Sequence, residues 1–250
     1  ADFTFWRKYG IRDHRGGGRA SGRETAGRVA AGAVAKSFLR ERGVTVMAHT
    51  IEIAGIRAEE FDPDVIEQTP VRCADARAAE RMIAAIHAAK DAGDSVGGIA
   101  ELRVTGVPAG LGDPVFWKLD ARLGMALLSI GATKGLEFGD GFAAARARGS
   151  GNNDAMRDGA FLSNHAGGII GGISNGNDIV ARLAVKPTSS ISVSQHTIDI
   201  DGLNRTLSVE GRHDPCIVPR IIPVIEAMAA LVICDAWEIQ NRIRPGWPEV

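Results

Sequence analysis

Two hydrophobic periods share this chain, and the order in which they alternate excludes most regular architectures. Apolar residues recur at helical spacing between Ser21 and Gly43, between Asp75 and Gly93, around 118–128, and over the longest stretch from about Pro219 to Asn241. Between these lie stretches that alternate every second residue and carry β-branched side chains: 44–53, 96–107, 133–138, 179–186, 191–199 and 206–210. Helices and strands therefore do not follow one another one for one, as a βαβ nucleotide fold requires, and several strands are spaced to pair antiparallel. The expectation is an α+β fold in layers. No internal repeat is visible.

The first helix shows its start most clearly. Ser21-Gly22-Arg23-Glu24 reads as a capping box, Ser21 accepting from the amide of Glu24 while Glu24 reaches back, and Gly43 ends the helix. Ala26, Val29, Ala30, Ala33, Val34 and Phe38 fall on one face, and the abundance of small residues predicts close packing against another backbone. Asp75 reads as the cap of the second helix. Gly97-Gly98 interrupts its strand as a bulge or a close approach would. The polar segment from Ala143 to Gly159 reads as the least ordered part, a flap or surface loop, and the tail from 243 to 250 cannot continue the last helix through Pro245 and Pro248. One domain over residues 1–250 is the expectation.

Composition matters chiefly for what it removes. With 45% hydrophobic residues and a formal net charge of −1, a chain of 250 residues can bury a sizeable core and has no general pull toward nucleic acid. No apolar run approaches the roughly eighteen residues of a membrane span. Cys73, Cys216 and Cys234 are odd in number and form no CxxC, so neither a disulfide framework nor a metal knuckle is suggested, and a reducing cytoplasm fits.

Charge is nonetheless uneven. Arg7, Lys8, Arg12, Arg15, Arg19, Arg23 and Arg28 crowd the start of the chain, where a glycine loop, Arg15-Gly16-Gly17-Gly18-Arg19, empties into a helix N-terminus. Free amides, the positive end of the helix dipole and guanidinium groups suit a phosphate or dicarboxylate. A solvated loop before an ordinary helix is the alternative. The loop is neither a P-loop nor a dinucleotide fingerprint.

A second glycine cluster, Asn164-His165-Ala166-Gly167-Gly168-Ile169-Ile170-Gly171-Gly172-Ile173-Ser174-Asn175-Gly176, precedes a strand ending in Lys186-Pro187-Thr188-Ser189-Ser190. It reads either as an approach for a flat ring or phosphate, with donors nearby, or as a pair of tight turns. A third group, Gly211-Arg212-His213-Asp214-Pro215-Cys216, sets a fixed cation beside two proton carriers; Asp214 also reads as an N-cap before Pro215.

Taken in order, Tyr9 to Thr25, Gly167 to Gly176 with Lys186 to Ser190, and Gly211 to Cys216 resemble the three signature regions of chorismate synthase. Gly112 to Leu123 and Lys134 to Phe142 resemble further family segments, so the likeness runs to about Arg242. The resemblance implies a β-α-β sandwich with helices between antiparallel sheets. It also implies reduced-FMN-dependent trans 1,4-elimination of phosphate from 5-enolpyruvylshikimate 3-phosphate, giving chorismate for aromatic amino-acid biosynthesis.

Carried over by position, Arg19, Ala20, Ser21, Gly131, Ala132, Gly171, Lys186, Pro187, Thr188, Ser189, Ser190 and Arg212 would line the FMN site. Ser21 and Arg23 would hold substrate anions, and Asp214 would accept a proton with Arg212 beside it. No metal is implied, NADPH enters only as an external reductant, and the family is usually a homotetramer. Members carry about a hundred residues before the point where this sequence starts, part of the same domain, and the family's two catalytic histidines lie there. His14, His49 and His213 do not replace them. An active enzyme, a fragment that folds, binds flavin or assembles without turnover, and an unrelated phosphate-binding module therefore all stay open at this point.

Overall fold

The computed structural model describes residues 2–12, 17–209, 211 and 213–248, and of Arg19 only the backbone. In chain order the elements are α1 (Asp2–Tyr9), α2 (Thr25–Arg40), β1 (Thr45–Ile53), β2 (Ile56–Arg57), α3 (Ala76–Asp91), β3 (Gly98–Thr105), α4 (Leu119–Leu128) and β4 (Thr133–Phe138). They continue as α5 (Gly149–Asn152), β5 (Met156–Arg157), β6 (Ala160–Phe161), β7 (Ile169–Ile170), β8 (Ile173–Ser174), β9 (Ile179–Val185), β10 (Gln195–Ile198), β11 (Asn204–Leu207) and α6 (Val218–Ile243). The fold is α+β. Five strands form one antiparallel sheet in the order β2-β1-β3-β9-β4, and β5-β6, β7-β8 and β10-β11 are separate hairpins.

Alternation along the strands sorts the sheet into two faces. Val46, Ala48, Ala100, Leu102, Val104, Ile179, Ala181, Leu183 and Val185 are buried in one hydrophobic cluster with Ile221, Ile222, Ile225 and Ala229 of α6. The opposite face is charged: Glu101 accepts from Arg182 at 3.0 Å and Arg103 at 3.2 Å, and buried His49 packs its ring 5.2 Å from Phe61. Burial pushes the His49 imidazole below its usual range, against the pull of Glu101.

On the apolar face α6 packs against β1 and β3, with α2 and α4 against α6. Glu226 of α6 ties α2 to β1, accepting from Lys36 at 2.5 Å and from the Ala48 amide at 2.9 Å. Arg122 of α4, itself buried, pairs with Asp235 of α6. Beyond α6 the chain turns back, and Trp247 meets Trp237 edge-on at 5.1 Å while donating to the Ala109 carbonyl.

Close packing of α2 is present, and Val29 and Phe38 of the expected arc pack against the core, but the centre of the contact lies on another stripe. Gly32, Ala35 and Leu39 are its buried residues, whereas Ala26, Ala30 and Ala33 are exposed and Val34 is 73% exposed. The reason is backbone proximity. A Cβ on Gly32 would stand 2.3 Å from the Ala227 Cβ and 2.4 Å from its Cα, so the absence of a side chain at this position fixes which stripe faces α6.

The capping box also resolves differently. Ser21 Oγ accepts from the Arg23 amide at 3.4 Å, and Glu24 turns forward to Arg28 at 3.1 Å. A tight 3₁₀ turn over Gly22–Glu24 takes up the first residues, and α2 starts at Thr25. An i,i+4 guanidinium outcompetes a backbone amide for the carboxylate.

Asp75 caps α3 as expected, accepting from the amides of Ala78 at 2.9 Å, Glu59 at 2.9 Å and Glu60 at 3.2 Å. Those amides, Ala78 first, hold its carboxyl below the ordinary 3.8. Asp214 is not a cap: α6 begins at Val218 after Ile217, with Pro219 in its first turn. The interval 143–159 holds local structure rather than bare loop, namely part of a 3₁₀ turn over Gly141–Arg146, α5 and one strand of the β5-β6 hairpin. Of the alternating stretches near 191–199 and 206–210, Gln195–Ile198 pairs with Asn204–Leu207, outside the main sheet.

Candidate active site at one end of the sheet

Antiparallel order in β3-β9-β4 brings the start of β3, the end of β9 and the start of β4 to the same end of the sheet. Gly98 and Thr133 both pair with Val185 there. Lys186 to Ser190 leave from the end of β9, Gly131 and Ala132 lead into β4, and residues 93–97 lead into β3. Three hydrogen bonds join these segments to one another and to the loop before α6. The Lys186 amide donates to the Ala132 carbonyl at 3.0 Å, Ser95 Oγ donates to the Thr188 carbonyl at 2.7 Å, and the Val96 amide donates to the Pro215 carbonyl at 2.8 Å.

The start of α2 is tied to the same end. Arg28 donates to Ser129 Oγ at 2.7 Å, at the close of α4 and two residues before Gly131, while Glu24 holds its other nitrogens. Ser21 is half-buried and Arg23 is exposed, less than two helical turns from that anchor. Ala20 is exposed in a 3₁₀ turn over Gly18–Ala20. The side chain of Arg19, the loop residues 13–16 and Arg212 lie outside the described residues.

What these segments present is unspent hydrogen-bonding capacity. Thr188 Oγ1 and His213 Nε2 are buried atoms without a hydrogen-bond partner among the described residues, which a folded protein tolerates where a ligand or water completes them. Among the described residues the Lys186 ammonium donates only back to the carbonyl of Pro187, at 3.1 Å. Gly131 is open backbone with no atom within 4 Å of where a Cβ would stand, and Ala132 holds φ at 72°. Pro187 and Ser189 are exposed and Ser190 half-buried. Asp214 pairs through Oδ1 with Arg220 at 2.9 Å, its side chain 39% exposed and so within reach of a ligand. Two residues on, burial raises the Cys216 thiol, helped by the Asp214 charge, which argues against a thiolate nucleophile here.

Gly171 lies elsewhere in the chain. It is exposed at the turn between β7 and β8, next to the start of α4, where the Leu119 amide donates to the Gly172 carbonyl at 2.8 Å. The length of β9, roughly 20 Å, separates that turn from Lys186.

Several contributors escaped sequence reasoning. Arg28 was visible only as one cation among seven. Arg220 falls inside an apolar helix pattern, and the Gly97-Gly98 interruption was the sole hint that residues 93–97 belong to the site. At the Gly171 end, His165 Nδ1 and Asp140 stand 2.7 Å apart, and Asp154 gathers Ser163 Oγ and the amides of His165 and Ala166. Burial pushes the Asp154 carboxyl up, but the amides and the hydroxyl together bring it below its ordinary value.

The donor set fits a flavin mononucleotide by chemistry. Open backbone at Gly131 admits a ring, the Lys186 ammonium and the start of α2 suit a phosphate, and the two unsatisfied buried atoms point to polar ligand groups.

A family model described as chorismate synthase matches residues 1–237. The chain is 56% identical over 234 residues to the chorismate synthase of Syntrophobacter fumaroxidans, covering 94% of this chain and 67% of that protein. It is 52% identical over 254 residues to that of Chloroflexus aggregans, covering 100% and 70%. A crystal structure of chorismate synthase superposes with a TM-score of 0.76 at 33% identity, covering 94% of this chain and 68% of the other. Signature order, family model and solved fold lead to one assignment: the chain belongs to the chorismate synthase family of lyases.

Proposed function

We propose that the sheet-end site binds FMN and 5-enolpyruvylshikimate 3-phosphate, and that the chain acts in the trans 1,4-elimination of phosphate that yields chorismate. The observation that carries this reading is the joining of Ala132, Lys186 to Thr188 and the Asp214 loop through three hydrogen bonds, with Thr188 Oγ1 and His213 Nε2 unpartnered among the described residues.

In the reaction the ring loses phosphate from one carbon and hydrogen from another three bonds away, and the double bond between them is replaced by a conjugated diene over the four carbons. When bound, reduced FMN supplies the electron that helps phosphate depart and recovers it, so the overall change is redox-neutral. The chain's own part is positioning and charge. Ser21 and Arg23, with the amides at the start of α2, hold the substrate's anionic groups and stabilise the departing dianion. Lys186 to Ser190 and Gly131-Ala132 hold the cofactor from two sides. Asp214, steadied by Arg220, accepts the proton finally released. Arg212 and Arg19 complete the cofactor set in this reading, and Gly171, at the far end of β9, is separated from Lys186 to Ser190.

The same reading makes the protein a cytoplasmic homotetramer in which NADPH serves only as an external reductant. All three cysteines are free, in keeping with a reducing compartment, and Val34, Met125 and Leu128 expose apolar surface on the helical layer.

Arg23→Ala tests the substrate assignment. Losing one charge-assisted contact should raise KM for 5-enolpyruvylshikimate 3-phosphate by about tenfold or more with kcat little changed. An unchanged KM, in anaerobic assays of phosphate release, would remove Arg23 from the site.

A further inference from the structure

Five consecutive residues just before β3, Gly93-Asp94-Ser95-Val96-Gly97, have no ligand role assigned above, yet they bridge two of the segments that do. Toward β9, Ser95 Oγ donates to the Thr188 carbonyl at 2.7 Å, and a Cβ on Gly97 would stand 2.4 Å from the Val185 carbonyl oxygen and 3.0 Å from Pro187 Cδ. Toward α6, the Val96 amide donates to the Pro215 carbonyl at 2.8 Å. Further along, the amides of Ser192 and Val193 both donate to the Gly93 carbonyl, at 2.9 and 3.3 Å. Ser95 is itself set by the Asp94 carboxylate, which accepts from its amide at 2.7 Å.

The consequence is geometric. Thr188 and Asp214 sit on loops 26 residues apart in sequence, with an exposed hairpin between them. The base of that hairpin is closed by the Val209 amide on the Ile191 carbonyl at 3.2 Å and Ser208 Oγ on the Ser192 carbonyl at 2.6 Å, and the peptide link between Ser95 and Val96 adds a direct tie, because one residue grips the carbonyl of Thr188 and the next grips the carbonyl of Pro215.

We propose that Ser95 is a positioning residue for the cofactor, holding the Lys186–Ser190 segment at a set distance from the Asp214 loop. This rests on the sheet-end site being the FMN site. In this role Ser95 acts through the Thr188 carbonyl rather than on the ligand, and the hydroxyl of the same threonine, Thr188 Oγ1, is buried without a hydrogen-bond partner among the described residues. Reducing the Ser95 side chain to a methyl group frees the segment on one side while the backbone bond from Val96 persists.

The test is FMN binding by the full chain, followed by flavin fluorescence under anaerobic conditions, for wild type, Ser95→Ala and Ser95→Thr. Thermal unfolding without FMN is measured alongside. The expected result is a loss of FMN affinity of about tenfold in Ser95→Ala, the size of one hydrogen bond transmitted to the ligand. Ser95→Thr, which keeps the hydroxyl, should recover it, with ligand-free unfolding of Ser95→Ala close to wild type.

Equal FMN affinity in wild type and Ser95→Ala would overturn the inference, as would a Ser95→Thr variant that fails to recover affinity while remaining folded. Failure of wild type itself to bind FMN would instead overturn the assignment of the site. Should Ser95→Ala not fold, Ser95→Cys, which keeps the volume and donates weakly, carries the same comparison.

Discussion

Asp214→Asn is expected to lower the rate of phosphate elimination by about a hundredfold to ten-thousandfold, the usual range for removing a positioned general base, while leaving FMN affinity within about threefold of wild type. Asparagine keeps the size of the side chain and one oxygen for Arg220, so the loop before α6 has no reason to move. What it loses is the capacity to take up a proton. The pairing of Asp214 with Arg220 at 2.9 Å and its partial exposure are what make the side chain both oriented and reachable. A variant that turns over at the wild-type rate would remove Asp214 from the chemistry, and one that loses FMN affinity in parallel with rate would make its role structural.

The second large effect concerns stability. Gly32→Ala should destabilise the fold by about 3 kcal/mol, the upper part of the range for overpacking a tight contact, although helix propensity alone favours alanine by about 1 kcal/mol. The two effects have opposite sign, so the measurement decides between them. A Cβ at 2.3 Å from the Ala227 Cβ and 3.1 Å from its carbonyl carbon meets backbone, and α2 must move off α6 to admit it. Gly27, on the same helix with nothing within 4 Å of its Cβ position, is the control: Gly27→Ala should stabilise by a few tenths to about 1 kcal/mol. Chemical denaturation of both variants checks the pair, and a stabilised Gly32→Ala would contradict the close α2-α6 contact.

That contact also marks the limit of what the sequence could tell. The abundance of small residues in α2 announced close packing, but a helix with Ala and Gly on every side has no unique apolar arc. Only tertiary contact chose Gly32, Ala35 and Leu39 over Ala30, Ala33 and Val34. Strands were easier, because a period of two assigns each residue of β3 and β9 to one face, and the observed burial of Ala100, Leu102, Val104, Ala181 and Leu183 follows that alternation. Pairing order was not legible: β9 lies between β3 and β4 although it follows both in sequence.

The site divided in the same way. Its segments stood out because glycine loops, an Arg-His-Asp triplet and a Lys-Pro-Thr-Ser-Ser run are chemically conspicuous, and their order pointed to the family. Ser95 and Arg220 carry no such mark. A serine ahead of Val96-Gly97-Gly98 and an arginine inside an apolar helix acquire their places only when the sheet brings Thr188, Pro215 and Asp214 next to them. The capping box failed for a local reason that sequence does hold, since Arg28 stands four residues after Glu24 and competes for its carboxylate.

The most direct test of the account is an anaerobic titration of this chain with FMN, with and without 5-enolpyruvylshikimate 3-phosphate, followed by flavin absorbance and fluorescence. The account predicts saturable binding that tightens when substrate is present, because the start of α2 and the Lys186–Ser190 segment are joined at the same end of the sheet through Arg28, Ser129 and Ala132. A folded chain that shows no FMN binding in either condition would contradict it.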